Sequence, residues 1–85
     1  MRNVKLRDVT EGDVFYESEY GEDIEWHALE SARRVDDEHE GWRRRGFACR
    51  CRSRGGRELD LFESENPGAH GLKLYSQPEY GNIVD

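Results

Sequence analysis

Alternation of apolar and polar positions is the strongest signal along this chain. In Asp13-Val14-Phe15-Tyr16-Glu17-Ser18-Glu19-Tyr20 a period of two predicts a strand, with Val14, Tyr16 and Tyr20 on an inward face and the acids outward. Thr10-Glu11-Gly12-Asp13 reads as the turn before it, Val4 and Leu6 as a short first strand, and Gly21-Glu22-Asp23 as the reversal after it. Residues 24–35 fit two patterns. Ile24, Trp26 and Ala28 alternate as in a strand, whereas Ile24, Ala28, Ala32 and Val35 form a helical stripe capped by Asp23. Strand is the preferred reading, because two strands on either side need a third to be stable.

Further along, residues 35–41 (VDDEHEG) read as a polar turn or loop, Trp42 to Ser53 as a strand, and Arg57 to Phe62 as its hairpin partner. Asn66-Pro67-Gly68 marks another turn, and Leu72-Lys73-Leu74-Tyr75 a last short strand stopped by Gln77-Pro78. The tail from Tyr80 to Asp85 either tucks Ile83 and Val84 against a sheet edge or frays. Five or six short strands predict a single all-β domain over residues 1–85, a small antiparallel curled sheet or SH3-like barrel.

Composition strengthens this picture at one point. A chain of 85 residues with 34% hydrophobic and 38% charged residues borders on disorder, and a domain this small buries only about 60% of its unfolded surface. Three Phe, four Tyr and two Trp spread along its length restore a core, since each aromatic buries roughly 150–250 Å². No apolar run exceeds Val14-Phe15-Tyr16, too short to cross a bilayer, and MRNVKLRDV lacks the apolar stretch of a secretory signal. Cys49 and Cys51 point the same way in a strand, about 6.5–7 Å apart at Cα, which disfavours a bridge. Reduced, buried cysteines imply a cytoplasmic protein.

Net charge is −6, but it comes in blocks. Residues 1–41 hold thirteen acids and five bases, residues 42–57 seven arginines and no acid, and residues 58–85 six acids and one lysine. A hairpin explains part of the basic block. With a three-residue loop Arg54-Gly55-Gly56 and Gly56 in the left-handed position, Arg52 opposes Glu58, Arg50 opposes Asp60, Cys51 opposes Leu59 and Cys49 opposes Leu61. A two-residue Gly55-Gly56 loop would set Cys51 against Asp60, placing charge against the core. The remaining arginines, Arg43, Arg44, Arg45, Arg54 and Arg57, have no partner assignable from sequence, and form the candidate nucleic-acid surface.

Signatures of catalysis are missing. No serine lies in a G-x-S-x-G context, and Gly55-Gly56 is not followed by a helix. Cys49, Cys51, His39 and His70 offer zinc ligands, but C-x-C within a strand is not the usual zinc spacing. The expectation is a non-enzyme with no metal and no cofactor. The acids Glu17, Glu19, Glu22, Asp23 and Glu25 around one hairpin, and Asp36, Asp37, Glu38 and Glu40 around the next, form surfaces drawn to a basic channel.

Two stretches, VTEGDVFYESEYG and HGLKLYSQPEYG, carry Gly12, Asp13, Phe15, Gly71, Leu72, Leu74, Tyr75, Pro78 and Tyr80. They resemble small proteins encoded by bacteriophages and related mobile elements, with a leading GD-apolar-aromatic strand and a terminal LY-x-x-P-x-Y. The arginine density departs from that pattern. The resemblance implies an inhibitor that blocks a host complex in the cytoplasm, for example a defence system that binds nucleic acid such as a CRISPR effector. The expected contact patch joins Glu17, Glu19, Glu22 and Asp23 to Trp42, Arg43 and Arg44. The rival is direct nucleic-acid binding through Arg43, Arg44, Arg45, Arg54 and Arg57.

Overall fold

The structure, a computed structural model, describes residues 2–66 and 72–85. The strands are β1 (Asn3–Val4), β2 (Val14–Glu19), β3 (Glu22–Ala28), β4 (Arg33–His39), β5 (Trp42–Ser53), β6 (Glu58–Ser64) and β7 (Leu74–Tyr75), with a 3-10 turn at Leu6–Asp8. They build one antiparallel sheet in the order β1-β7-β2-β3-β5-β4, with β6 on the other edge of β5. The predicted all-β class holds, and the sheet curls without closing into a barrel.

β5 organises the sheet because it is long enough to serve three neighbours. β6 pairs along Gly46–Arg52, while β4 and β3 follow each other along the opposite edge, from His39↔Trp42 to Trp26↔Ser53. The Leu29 N–H bond to the Arg50 carbonyl (2.8 Å) bridges the break between them. Gly46 lets the sheet curl, since an added Cβ there would run into the Glu63 carbonyl. The core gathers Leu6, Val9, Phe15, Trp26, Ala28, Cys49, Cys51, Leu61 and Leu74 inside the curl. The cysteines are free and fully buried, 3.7 Å apart at sulfur, and burial pushes both thiols up from their ordinary value.

The β5–β6 hairpin has the predicted register: Arg52↔Glu58, Cys51↔Leu59, Arg50↔Asp60 and Cys49↔Leu61. Gly56 takes φ +95°, and its N–H donates to the Ser53 carbonyl at 2.9 Å. The expected Arg52–Glu58 contact forms, but the Arg50–Asp60 contact does not. Arg50 and Arg52 both reach Glu58, and Asp60 is taken by Arg33 at 2.7 Å. Strand alternation also holds for Ile24, Trp26 and Ala28, against the helical stripe.

Three expectations are corrected. In β2 the inward residue is Phe15, opposite Trp26, whereas Val14 and Tyr20 are 43% and 91% exposed. Counting apolar residues favoured the wrong face, because one Phe–Trp pair buries more than the scattered Val and Tyr. The first reversal is Tyr20-Gly21, both at positive φ (51° and 78°), so Glu22 and Asp23 belong to β3. Residues 35–41 are mostly strand: β4 runs to His39 and turns at Glu40-Gly41 (φ 53° and 82°). Asp36, Asp37 and Glu38 are strand residues despite poor intrinsic propensity, because each faces an arginine of β5. The turn expected at Asn66-Pro67-Gly68 lies largely outside the described residues, as do His70 and Gly71.

The tail tucks in. Asp23 and Ile83 form a parallel bridge, the Asp23 N–H donates to the Asn82 carbonyl (2.8 Å), and the Val84 N–H donates to the Asp23 carbonyl (2.9 Å). Among the described residues no helix is long and apolar enough to cross a membrane.

Candidate functional site

The arginine block is largely neutralised inside the sheet. In the β4–β5 hairpin Asp36 faces Arg45, Asp37 faces Arg44 and Glu38 faces Arg43. Arg43 reaches Asp36 at 2.9 Å, Arg45 reaches the same carboxylate at 3.4 Å, and Arg44 binds Asp37 through two bonds of 3.1 Å. The Arg44 bonds hold the Asp37 carboxyl below its ordinary range. Arg44 also stacks 5.2 Å above Phe62, in a shallow hollow with Arg43, Arg45 and Ser64. Arg57 pairs with Asp85 at 2.7 Å and lies over Trp26. Arg54 follows the last residue of β5, where its backbone N–H donates to the carbonyl of Glu25 in the middle of β3 at 3.0 Å. The five arginines of the candidate nucleic-acid surface are thus divided between two ends of β5.

The expected protein-contact patch is divided in the same way. Trp42, 79% exposed, with Arg43 and Arg44, marks the first end of β5, and Glu19 and Glu22 lie beyond its other end, past the last β3–β5 pair, Trp26↔Ser53. Twelve residues of extended chain separate the two ends, about 36 Å at 3.3 Å per residue. One compact patch cannot contain both.

Asp23 is corrected outright: it is fully buried and offers nothing to a partner. Its carboxylate accepts the Ser18 hydroxyl at 2.5 Å and the backbone N–H groups of Glu79 (2.9 Å), Tyr80 (3.1 Å) and Asn82 (3.2 Å). Burial pushes its pKa up, but these donors outweigh burial and hold the group below its ordinary value. Glu17 is half-buried and accepts the Trp26 indole N–H at 3.1 Å. Beside them, the Glu25 carboxyl is held low, first by His27 at 2.8 Å, against burial, and also by the Tyr16 hydroxyl at 3.2 Å.

What remains exposed is a compact acidic and aromatic end. Glu19 opposes Glu22 across the Tyr20-Gly21 turn, and among the described residues neither is in an ion pair. β7 covers only Tyr16 and Glu17 of β2, so the edge beyond stays open. A groove of about 560 Å³ lies there, lined by Glu17, Ser18, Glu19, Tyr20, Leu72, Lys73, Tyr75, Glu79 and Tyr80. A smaller hollow of about 140 Å³ joins Glu17, Glu19, Tyr20, Glu22 and Ile24. Tyr75, Glu79 and Tyr80 were not among the candidate residues; Asp23 brings the last two here across more than fifty residues of chain. A sequence signal did exist for Tyr20: a bulky aromatic next to Gly21, where a tight turn favours Asn, Asp or Gly.

Of the proposed zinc ligands, Cys49 and Cys51 are buried and His39 is at the β4–β5 turn; no group of three or more metal-ligating side chains gathers among the described residues. The residues of the GD-aromatic stretch have structural work: Gly12 takes φ +91°, Asp13 accepts the Thr10 N–H at 2.9 Å, and Phe15 fills the core. Comparison with protein-family models, with curated proteins and with solved structures returns no match to this chain.

Proposed function

We propose that this is a non-enzymatic interaction protein that presents its β2–β3 turn, and the groove beside it, to a basic surface of a partner protein. One observation carries the reading. Glu19 and Glu22 face each other unpaired across a turn whose first residue, Tyr20, is 91% exposed at φ 51°. Like charges directly opposed destabilise a hairpin, and a bulky side chain at positive φ is strained. Local rules broken together at one exposed place favour a binding role. Tyrosine beside carboxylate suits a lysine or arginine, which stacks on the ring while its charge is paired.

The resemblance of the two ends of the chain to small phage proteins supports a narrower version. The partner would be a host complex that handles nucleic acid, and the acidic end would occupy its basic channel as an imitation of phosphate, blocking it sterically and electrostatically. Direct nucleic-acid binding gains less support, because Arg43, Arg44, Arg45 and Arg57 already have carboxylate partners.

The test compares affinity capture from nuclease-treated host lysate by the wild type and by the Glu19→Lys/Glu22→Lys/Glu79→Lys variant. The expected result is a partner retained by the wild type after nuclease and lost by the folded variant. Equal capture by both, or capture abolished by nuclease, would contradict the reading.

A further inference from the structure

β4 ends the sheet: β5 covers one edge, and among the described residues no backbone bond reaches residues 34–39 from the other side. The direction of its amides follows from the turn. His39 and Trp42 flank a two-residue loop and therefore exchange both of their backbone bonds. By alternation Val35 and Asp37 also direct their amides at β5, and Arg34, Asp36 and Glu38 turn theirs outward. The Glu65 N–H bond to the Arg45 carbonyl (2.9 Å), on the far edge of β5, requires the same alternation.

The side chains of this edge form their own complement. Residues 33–37 read Arg-Arg-Val-Asp-Asp, two bases and two acids about a central valine. An antiparallel copy laid against them about Val35 sets Arg33 opposite Asp37, Arg34 opposite Asp36, and Val35 opposite itself. The outward amides of Arg34 and Asp36 then meet their opposite numbers. The adjacent registers allowed by that alternation fail, since they set Asp36 against Asp36 or Arg34 against Arg34. All four side chains already hold partners within the chain, Asp37 with Arg44 (3.1 Å), Asp36 with Arg45 (3.4 Å), Arg33 with Glu30 and Asp60, and Arg34 with Glu65, so each new pair would join an existing exposed network.

We infer that two copies of this chain pair through β4 about a two-fold axis at Val35, joining their sheets into one. Exposed edges are usually kept apart by charge; here the order of charges repels a strand of uniform sign and accepts a copy of itself. The net charge of −6 opposes association, but residues 33–45 hold five arginines and four acids, so the repulsion is not local. A ladder this short is a small interface, and the dimer therefore forms at high protein concentration.

Sedimentation equilibrium of the wild type from micromolar to millimolar concentration is the first test. The mass should rise from 10.0 kDa toward twice that, with slowed amide exchange at Arg34, Asp36 and Glu38. A constant monomer mass, with exchange at those amides independent of concentration, would overturn the proposal. Arg34→Glu and Asp36→Arg test the register. Each alone places like charges in both central pairs and should raise the dimer dissociation constant at least tenfold. Mixed in equal amounts they restore both pairs and should form a heterodimer near wild-type strength. Variants that dimerise alone as well as the wild type would contradict this register.

Discussion

The β2–β3 and β4–β5 hairpins turn alike, but the first is acidic and the second nearly balanced in charge. Both turn through two residues at positive φ, a non-glycine followed by Gly21 or Gly41. In β4–β5 every acid facing the sheet partner meets an arginine, and the charges specify the pairing. In β2–β3 the pair at the turn is Glu19 with Glu22, and among the described residues neither is in an ion pair, although Lys73 lines the same groove. Equal backbone geometry with unequal treatment of charge separates charge that builds the sheet from charge left over. On this view the arginine-rich segment is architecture, and the acidic turn is the surface available to a ligand.

Removing the anchor under the acidic turn should have the largest effect. Asp23→Ala strands the amides of Glu79, Tyr80 and Asn82 around an emptied site, and should lower stability in urea unfolding by about 3 kcal/mol. Asp36→Ala, which removes the exposed contacts to Arg43 and Arg45, should cost at most about 1 kcal/mol. Equal losses from the two would erase the distinction between the hairpins.

Acid should act on the same anchor. The folded pKa of Asp23 is depressed, so its contribution is present above the unfolded value of about 3.9 and is lost as pH falls through the folded value. Glu25 is depressed as well and acts with the same sign. The amide signals of Tyr80 and Asn82 should therefore keep their docked positions down to the ordinary aspartate range and move only below it. In Asp23→Asn that acid step should vanish. Docking lost while carboxylates are still ionised would contradict the assignment.

The smallest effect should be the most informative about purpose. Glu19→Lys turns a repulsive pair with Glu22 into an attractive one and should raise stability by about 0.5 kcal/mol in urea, while partner capture falls. A residue kept only for folding would not show these opposite signs.

Much of the sheet was legible from local pattern. The β5–β6 register followed from matching Cys to Leu and Arg to acid around Gly56, and Trp26 and Ala28 showed their face by alternation. β4 was not legible, because Asp-Asp-Glu-His has a loop's composition and becomes strand only through the arginines five to nine residues on. The face of β2 was misread because three apolar residues outnumber Phe15, and what buries Phe15 is Trp26 across the pair. The site was half legible. Glu19 and Glu22 stood out by charge, but Asp23 looks the same in sequence and is buried by donors from residues 79–82. Tyr80 reaches the groove through that long-range contact, which no local pattern encodes.

The most direct test is an amide-resolved NMR titration of the wild type with a lysine- and arginine-rich peptide, and separately with single-stranded DNA. The account predicts that the peptide shifts residues 17–22, Tyr75, Glu79 and Tyr80, with an affinity that falls as salt rises, and that DNA leaves Arg43, Arg44 and Arg45 unmoved. Saturable DNA shifts at those three arginines, with the β2–β3 turn indifferent to the peptide, would contradict it.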